Sequence, residues 1–146
     1  MNINVKKRNG RLVDFDVEKI NRSAERACEN LENVSASEIV LDAKIKLYDK
    51  VKTSEIDKSL ISSASSKIEK DPSYNYVAAR LLLNTIYKEV FGESVYSESF
   101  ELQYHKSFIV NLKKLVKEGI LDKKLTEEFD LKKLSEAINT SRDLKW

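Results

Sequence analysis

The reading of this chain turns on VKKRNGRLVDFDVEKI, Val5 to Ile20. Three consecutive cations, Lys6, Lys7 and Arg8, stand before Asn9-Gly10, and a second apolar run, Leu12 to Phe15, follows. Asn-Gly between two short strand-like runs predicts a β-hairpin, with the cations on its first strand and at its turn. Asp16 then predicts a helix N-cap, with Lys19 in the first turn. A cationic loop beside a helix N-terminus attracts an anion twice, through side-chain charge and through free backbone N–H groups. The same residues also read as a solvated edge hairpin whose lysines discourage strand addition. Local chemistry leaves both readings open.

Further along the chain the apolar residues recur at helical spacing. Val17, Ile20, Ala24, Ala27, Cys28 and Leu31 share one face. Ser35-Ala36-Ser37-Glu38 has the pattern of a capping box and opens a second helix with Ile39, Val40, Ala43 and Leu47 inward. Tyr48 to Lys52 reads as a break. Thr53 is the expected N-cap of a third helix, with Glu55 and Asp57 in its first turn, where carboxylates favour the helix dipole. Ile56, Leu60, Ala64 and Ile68 make its buried stripe, and the serines among them a small polar face. Asp71-Pro72 is expected to end that helix, because a residue before proline avoids the helical region. A fourth helix runs from about Tyr74 to Phe91, with Gly92 at C′. Glu93 to Glu101 is polar and weakly periodic, a connection. Leu102 to Glu118 is helical, stopped by Gly119, and two short pieces follow, one after Thr126 and one capped by Asp130. Thr140 to Trp146 shows no closure, and an apolar Trp at the last position is expected of a chain cut short.

Composition narrows the function. The 26 Lys and Arg are nearly matched by 24 Asp and Glu, for a net charge of +2, so a general nucleic-acid footprint is not expected. The single cysteine, Cys28, excludes an intrachain disulfide and a thiolate metal cluster. No apolar run approaches a membrane span, and no apolar segment follows the N-terminal cations as it would in a secretory signal. A cytoplasmic location is the expectation. No Walker-type glycine loop is present, which speaks against a hydrolytic ATPase.

Four stretches, in order and spacing, carry a family resemblance: VKKRNGRLVDFDVEKI, KTSEID (Lys52 to Asp57), DPSYNYVAAR (Asp71 to Arg80) and YKEVFG (Tyr87 to Gly92). Together they resemble the ATP-cone at the N-terminus of the large (alpha) subunit of class I ribonucleotide reductase. SRDLKW, Ser141 to Trp146, is similar to the segment that leads from the cone toward the catalytic barrel of those subunits. The resemblance implies a mainly α fold, with a β-hairpin lid over a four-helix bundle in residues 1–92. Residues 93–146 would then be a helical segment preceding a barrel absent from this chain.

The resemblance also implies a regulatory site that takes ATP or dATP with Mg²⁺, ATP permitting activity and dATP inhibiting through subunit assembly. Carried over by position, Lys7 and Arg8 match the cationic pair of the hairpin. Val13, Asp14, Phe15, Asp16, Val17, Glu18 and Lys19 match the segment that closes over base and sugar, with Lys19 reaching phosphate. Thr53 matches the hydroxyl residue at the third helix start. Asp57 matches a position near the sugar, and Lys88 a late phosphate-binding lysine. Val13 stands where the family commonly has Glu, so a base contact there would come from the backbone.

No catalytic or metal-ligating residue is assigned, because the family's chemistry needs cysteines that this chain lacks. The implied partners are the rest of the reductase large subunit, and the radical-generating small subunit or another large subunit docked through the cone. Nucleic acid and membrane are not among them. The alternative is a degenerate cone that acts only as a subunit-docking module and binds no nucleotide.

Overall fold

The computed structural model describes residues 3–45, 47–92 and 99–145. The chain divides into two compact units, Met1–Ile86 and Tyr87–Trp146. The hairpin is present: β1 (Asn4–Lys6) pairs antiparallel with β2 (Leu12–Asp14), Val5 opposite Val13. Its loop closes with Gly10 N–H donating to the Lys7 carbonyl at 2.9 Å and Lys7 N–H donating to the Arg11 carbonyl at 2.8 Å. Gly10 sits at φ +83°, which a side chain would strain, and Asn9 Oδ1 accepts from Arg11 N–H at 3.1 Å. Asn-Gly thus supplies a side-chain acceptor and then a left-handed residue.

The expected break at Tyr48 to Lys52 is instead partly a strand. β3 (Val51–Lys52) pairs parallel with β1, and the sheet order is β2-β1-β3. Two residues give no period to read, so only the pairing reveals the strand. β1 is therefore the central strand and not an edge, which removes the edge-hairpin reading for Lys6. Val5 and Val51 point inward and are buried; Lys6 and Lys52 point outward and are exposed.

α1 (Val17–Cys28) starts as expected, with Asp16 accepting from Glu18 N–H at 3.0 Å. α2 (Ala36–Ile45) starts with half of a capping box. Ser35 Oγ accepts from Glu38 N–H at 3.3 Å, but Ser35 N–H donates to the Tyr74 hydroxyl. The Glu38 carboxylate turns instead to Lys70, 2.9 Å away, and this cation holds it below its usual pKa. Tyr74 is buried, so a polar tip that meets an orphan helix N–H satisfies both groups.

α3 (Thr53–Ser65) departs from expectation at both ends. Thr53 is its first helical residue and Lys52 its N-cap, because the Glu55 carboxylate reaches back to Lys52 N–H at 3.1 Å and does the capping. The helix stops at Ser65, well before Pro72, and turns carry the chain on to Asp71. Asp71 Oδ1 accepts from Ser73 N–H at 2.8 Å at the start of α4 (Tyr74–Phe91). The serine face is also not wholly polar surface: Ser63 is buried, and its hydroxyl donates to the Ile39 carbonyl of α2 at 3.1 Å.

The first unit's core joins Val5 and Val51 of the sheet to Ile20, Ala24 and Ala27 of α1, Ile39 and Val40 of α2, Ile56 and Leu60 of α3, and Val77 and Leu81 of α4. Arg80 ties α4 to the end of α1: its Nη1 donates to the carbonyls of Ala27 at 3.1 Å and Glu29 at 2.7 Å. Cys28 is half-buried beside it, its thiol pushed up by burial.

The second unit packs the last turns of α4 with α5 (Phe100–Lys117), α6 (Lys124–Glu127), α7 (Leu131–Glu136) and a 3₁₀ turn at Thr140–Lys145. α5 begins two residues before the expected Leu102, and α6 contains Thr126 instead of following it. Asp130 caps α7 as expected, accepting from Lys132 N–H at 3.0 Å. Residues 93–98 of the expected connection, and Trp146, lie outside the described residues. Tyr87, Phe91, Phe100 and Tyr104 form an aromatic cluster, with ring centroids 4.8 Å apart for Tyr87 and Phe100. The Tyr87 hydroxyl donates to Asp143 Oδ2, and burial and that carboxylate push the phenol well above its usual pKa. Ser135 is buried and donates to the His105 carbonyl at 2.8 Å, clasping α7 to α5. The His105 ring joins the same contact, its Nδ1 against the Ser135 carbonyl.

Replacing Arg80 by Met keeps the apolar stem and removes both donors to the end of α1. Urea unfolding followed by circular dichroism is expected to show a loss of about 1–3 kcal/mol.

Candidate functional site

The outward face of the β1–β3 pair meets the start of α3. In the parallel register Lys6 is the partner of Lys52, and α3 begins at the next residue. The loop after β1 brings Lys7 and Arg8 to the same place. These residues, with Gly10, Thr53 and Ser54, line an open concavity of about 320 Å³. Its wall holds four cationic side chains, Lys6, Lys7, Arg8 and Lys52. Residues Thr53 and Ser54 add hydroxyls and first-turn N–H groups that lack partners within the helix. The arrangement is built to receive a multiply charged anion.

Two acidic groups shape this wall. Asp57, one turn into α3, has a largely buried carboxylate, and its Oδ2 lies 3.8 Å from Arg8 Nη2. This bridge fastens the hairpin loop to α3. Glu55 Oε2 accepts from Lys52 N–H at 3.1 Å and from the Tyr48 hydroxyl at 2.9 Å. The Lys52 N–H and then the Tyr48 hydroxyl hold Glu55 below its ordinary pKa, and the same contact raises Tyr48. The Glu55 carboxylate thus fixes the angle at which β3 enters α3.

The sequence-derived candidates are distributed unevenly. Lys7, Arg8 and Thr53 line the concavity, and Asp57 is bound to Arg8 beside it. Val13 and Phe15 are partly buried against the core. Asp16 is occupied as the α1 cap, and Lys19 lies 3.8 Å from it at the surface. Asp14 and Glu18 are exposed, and Val17 is half-buried at the start of α1. Lys88 stands in the last turn of α4, within the second unit. Lys6, Lys52 and Ser54 were not among the candidates. Lys52 adjoins Thr53 in KTSEID, but only the pairing of β3 with β1 sets it beside Lys6. Among the described residues no group of three or more His, Cys, Asp or Glu could hold a metal ion. No described helix is long and apolar enough to cross a membrane.

The first unit is thus a small domain of helices and a three-stranded sheet, with a cationic cleft at a helix start. Residues 3–89 match the ATP cone domain, and the chain belongs to that family. The chain is 37% identical over 145 residues to the ribonucleoside-diphosphate reductase subunit alpha of Helicobacter pylori, a match covering 99% of this chain and 17% of that protein. It is 33% identical over 147 residues to ribonucleoside-diphosphate reductase 1 subunit alpha of Escherichia coli, covering 98% of this chain and 18% of that one. The chlamydial subunit alpha (Chlamydia trachomatis) is 36% identical over 125 residues. The regions matched are the N-terminal parts of these subunits, so the chain spans less than a fifth of the length of such relatives.

Glu55 has its pKa lowered in the folded state, so its contribution is complete above the unfolded value near 4.5 and is lost as pH falls through the folded value. Stability measured against pH is accordingly expected to run parallel in Glu55→Gln and parent from neutral pH to about 5, and to fall less steeply in the variant below about 4.5. Equal steepness in variant and parent would show that the Glu55 cap is not coupled to folding.

Proposed function

We propose that the concavity between the hairpin loop and the start of α3 binds ATP or dATP as an allosteric effector of the reductase large subunit. The cone would thereby bias which surface is offered to another subunit. The observation that carries this reading is the convergence of Lys6, Lys7, Arg8 and Lys52 at a helix N-terminus in a chain of the ATP-cone family. A triphosphate needs converging cations and N–H donors, and this wall provides both. Lys7 and Arg8 serve the phosphates, Thr53 offers a hydroxyl at the helix start, and Asp57 orients Arg8 and lies within reach of the sugar. The segment Val13 to Lys19 borders the base and sugar, and Lys88 enters on the family resemblance alone.

Mg²⁺ fits this scheme only as a companion of the nucleotide. The cleft wall is cationic, and a divalent ion of this class is held chiefly by phosphate oxygens and water. Its effect is to neutralise phosphate charge; the side chains do the positioning. The rest of the large subunit is the natural partner of this stretch, and assembly with the small subunit or another large subunit is the regulated event. The protein would act in the cytoplasm, where deoxyribonucleotides are made.

Calorimetric titration with ATP and dATP in the presence of Mg²⁺, with particle mass followed by light scattering, tests the proposal. Binding in the micromolar range or tighter is expected, weakened about tenfold or more by Arg8→Ala through loss of a charge-assisted hydrogen bond. A mass change seen with dATP alone would place regulated assembly within this stretch. A folded sample that gives no heat with either nucleotide would sink the proposal and leave a cone that only docks.

A further inference from the structure

Lys6 and Lys52 occupy partner positions on neighbouring parallel strands. Such strands run roughly 4.8 Å apart, and like charges set directly across a sheet destabilise it. The usual purpose of strand lysines, protection of an edge, does not serve Lys6, because β1 is paired on both sides. Among the described residues no carboxylate lies within ion-pair distance of Lys6, Lys7 or Lys52. The nearest acidic groups have other work: Asp57 faces Arg8, and the Glu55 carboxylate takes Lys52 N–H and the Tyr48 hydroxyl. Two lysines at partner positions, neither in a salt bridge among the described residues and Lys52 only attracted at longer range by Glu55, therefore border the same concavity as Thr53 and Ser54. A local conflict of this kind is relieved by a bound anion and marks a functional position.

We propose that Lys6 and Lys52 form a paired clamp for the distal end of a nucleotide's phosphate chain, so that the site reads phosphate number. This rests on the nucleotide-binding reading and adds two specificity-determining residues to it. The register makes the two lysines neighbours on the outward face of the sheet, and in the proposed clamp a single terminal phosphate accepts from both. A nucleotide with a shorter chain satisfies fewer of the four cations and leaves the Lys6–Lys52 repulsion in place. Discrimination between triphosphate and diphosphate then arises from charge placed by strand pairing, independently of the base and sugar contacts. Lys52→Gln keeps the backbone N–H that Glu55 accepts from and removes only the Coulombic attraction of the Lys52 charge for that carboxylate.

The test measures ATP and ADP affinities by competition with a fluorescent ATP analogue, for the parent chain and for Lys6→Gln, Lys52→Gln and the double variant. Circular dichroism confirms that each is folded. The parent is expected to prefer ATP by about tenfold or more, and the double variant to lose most of that preference, chiefly through weaker ATP binding. A double variant that weakens ATP and ADP equally, or neither, overturns the clamp while the nucleotide site stands. A parent chain that binds neither nucleotide overturns the clamp and the nucleotide reading together. Inorganic tripolyphosphate, added as competitor, is expected to displace the analogue from the parent more effectively than from the double variant.

Discussion

The parallel pairing of Val5-Lys6 with Val51-Lys52 is the constraint on which the first unit depends. A parallel pair cannot be closed by a tight turn; it needs a long crossover, which here contains β2, α1 and α2. The pairing drives Val5 and Val51 into the core and, by strand alternation, sends Lys6 and Lys52 to the outside. One register thus sets both the base of the core and the charge of the cleft. A slip by one residue would exchange valine for lysine on each face, so burial of the valines enforces the placement of the cations.

The acidic groups beside the cationic cleft are engaged elsewhere. Asp57 is drawn into the bridge with Arg8, and Glu55 is drawn backward onto its own N-cap and Tyr48. Glu55 costs the cleft little, because its charge stabilises the helix start that an anion would use. The surplus of cations is sustained by apolar burial beneath the sheet and by contacts such as Arg80 to the end of α1. The second unit is held by other means: an aromatic cluster around Tyr87 and Phe100, a tyrosine–aspartate bond, and the serine clasp between α5 and α7.

Membership of the ATP cone domain family and the likeness to reductase alpha subunits give this cleft its context. The proposed nucleotide and Mg²⁺ roles rest on a wall of cations at a helix start, and the proposed partner subunits on the likeness to reductase alpha subunits. The clamp of Lys6 and Lys52 extends that reading from binding a nucleotide to counting its phosphates.

By itself the sequence determined the local elements: the Asn9-Gly10 hairpin, the Asp16 and Asp130 caps, the helical stripes, the glycine stops and the family motifs. These are set by neighbours within a few residues, so spacing reveals them. Tertiary structure decided the rest. Val51-Lys52 is too short to carry a period and becomes a strand only because Val5-Lys6 offers it free backbone groups. Glu38 forms a capping-box pattern yet pairs with Lys70, and Thr53 yields its cap role to the Glu55 carboxylate. Ser63 looks like surface until α2 lies over it. Each outcome is a competition between a local partner and a distant one, and only the fold brings the distant partner within reach.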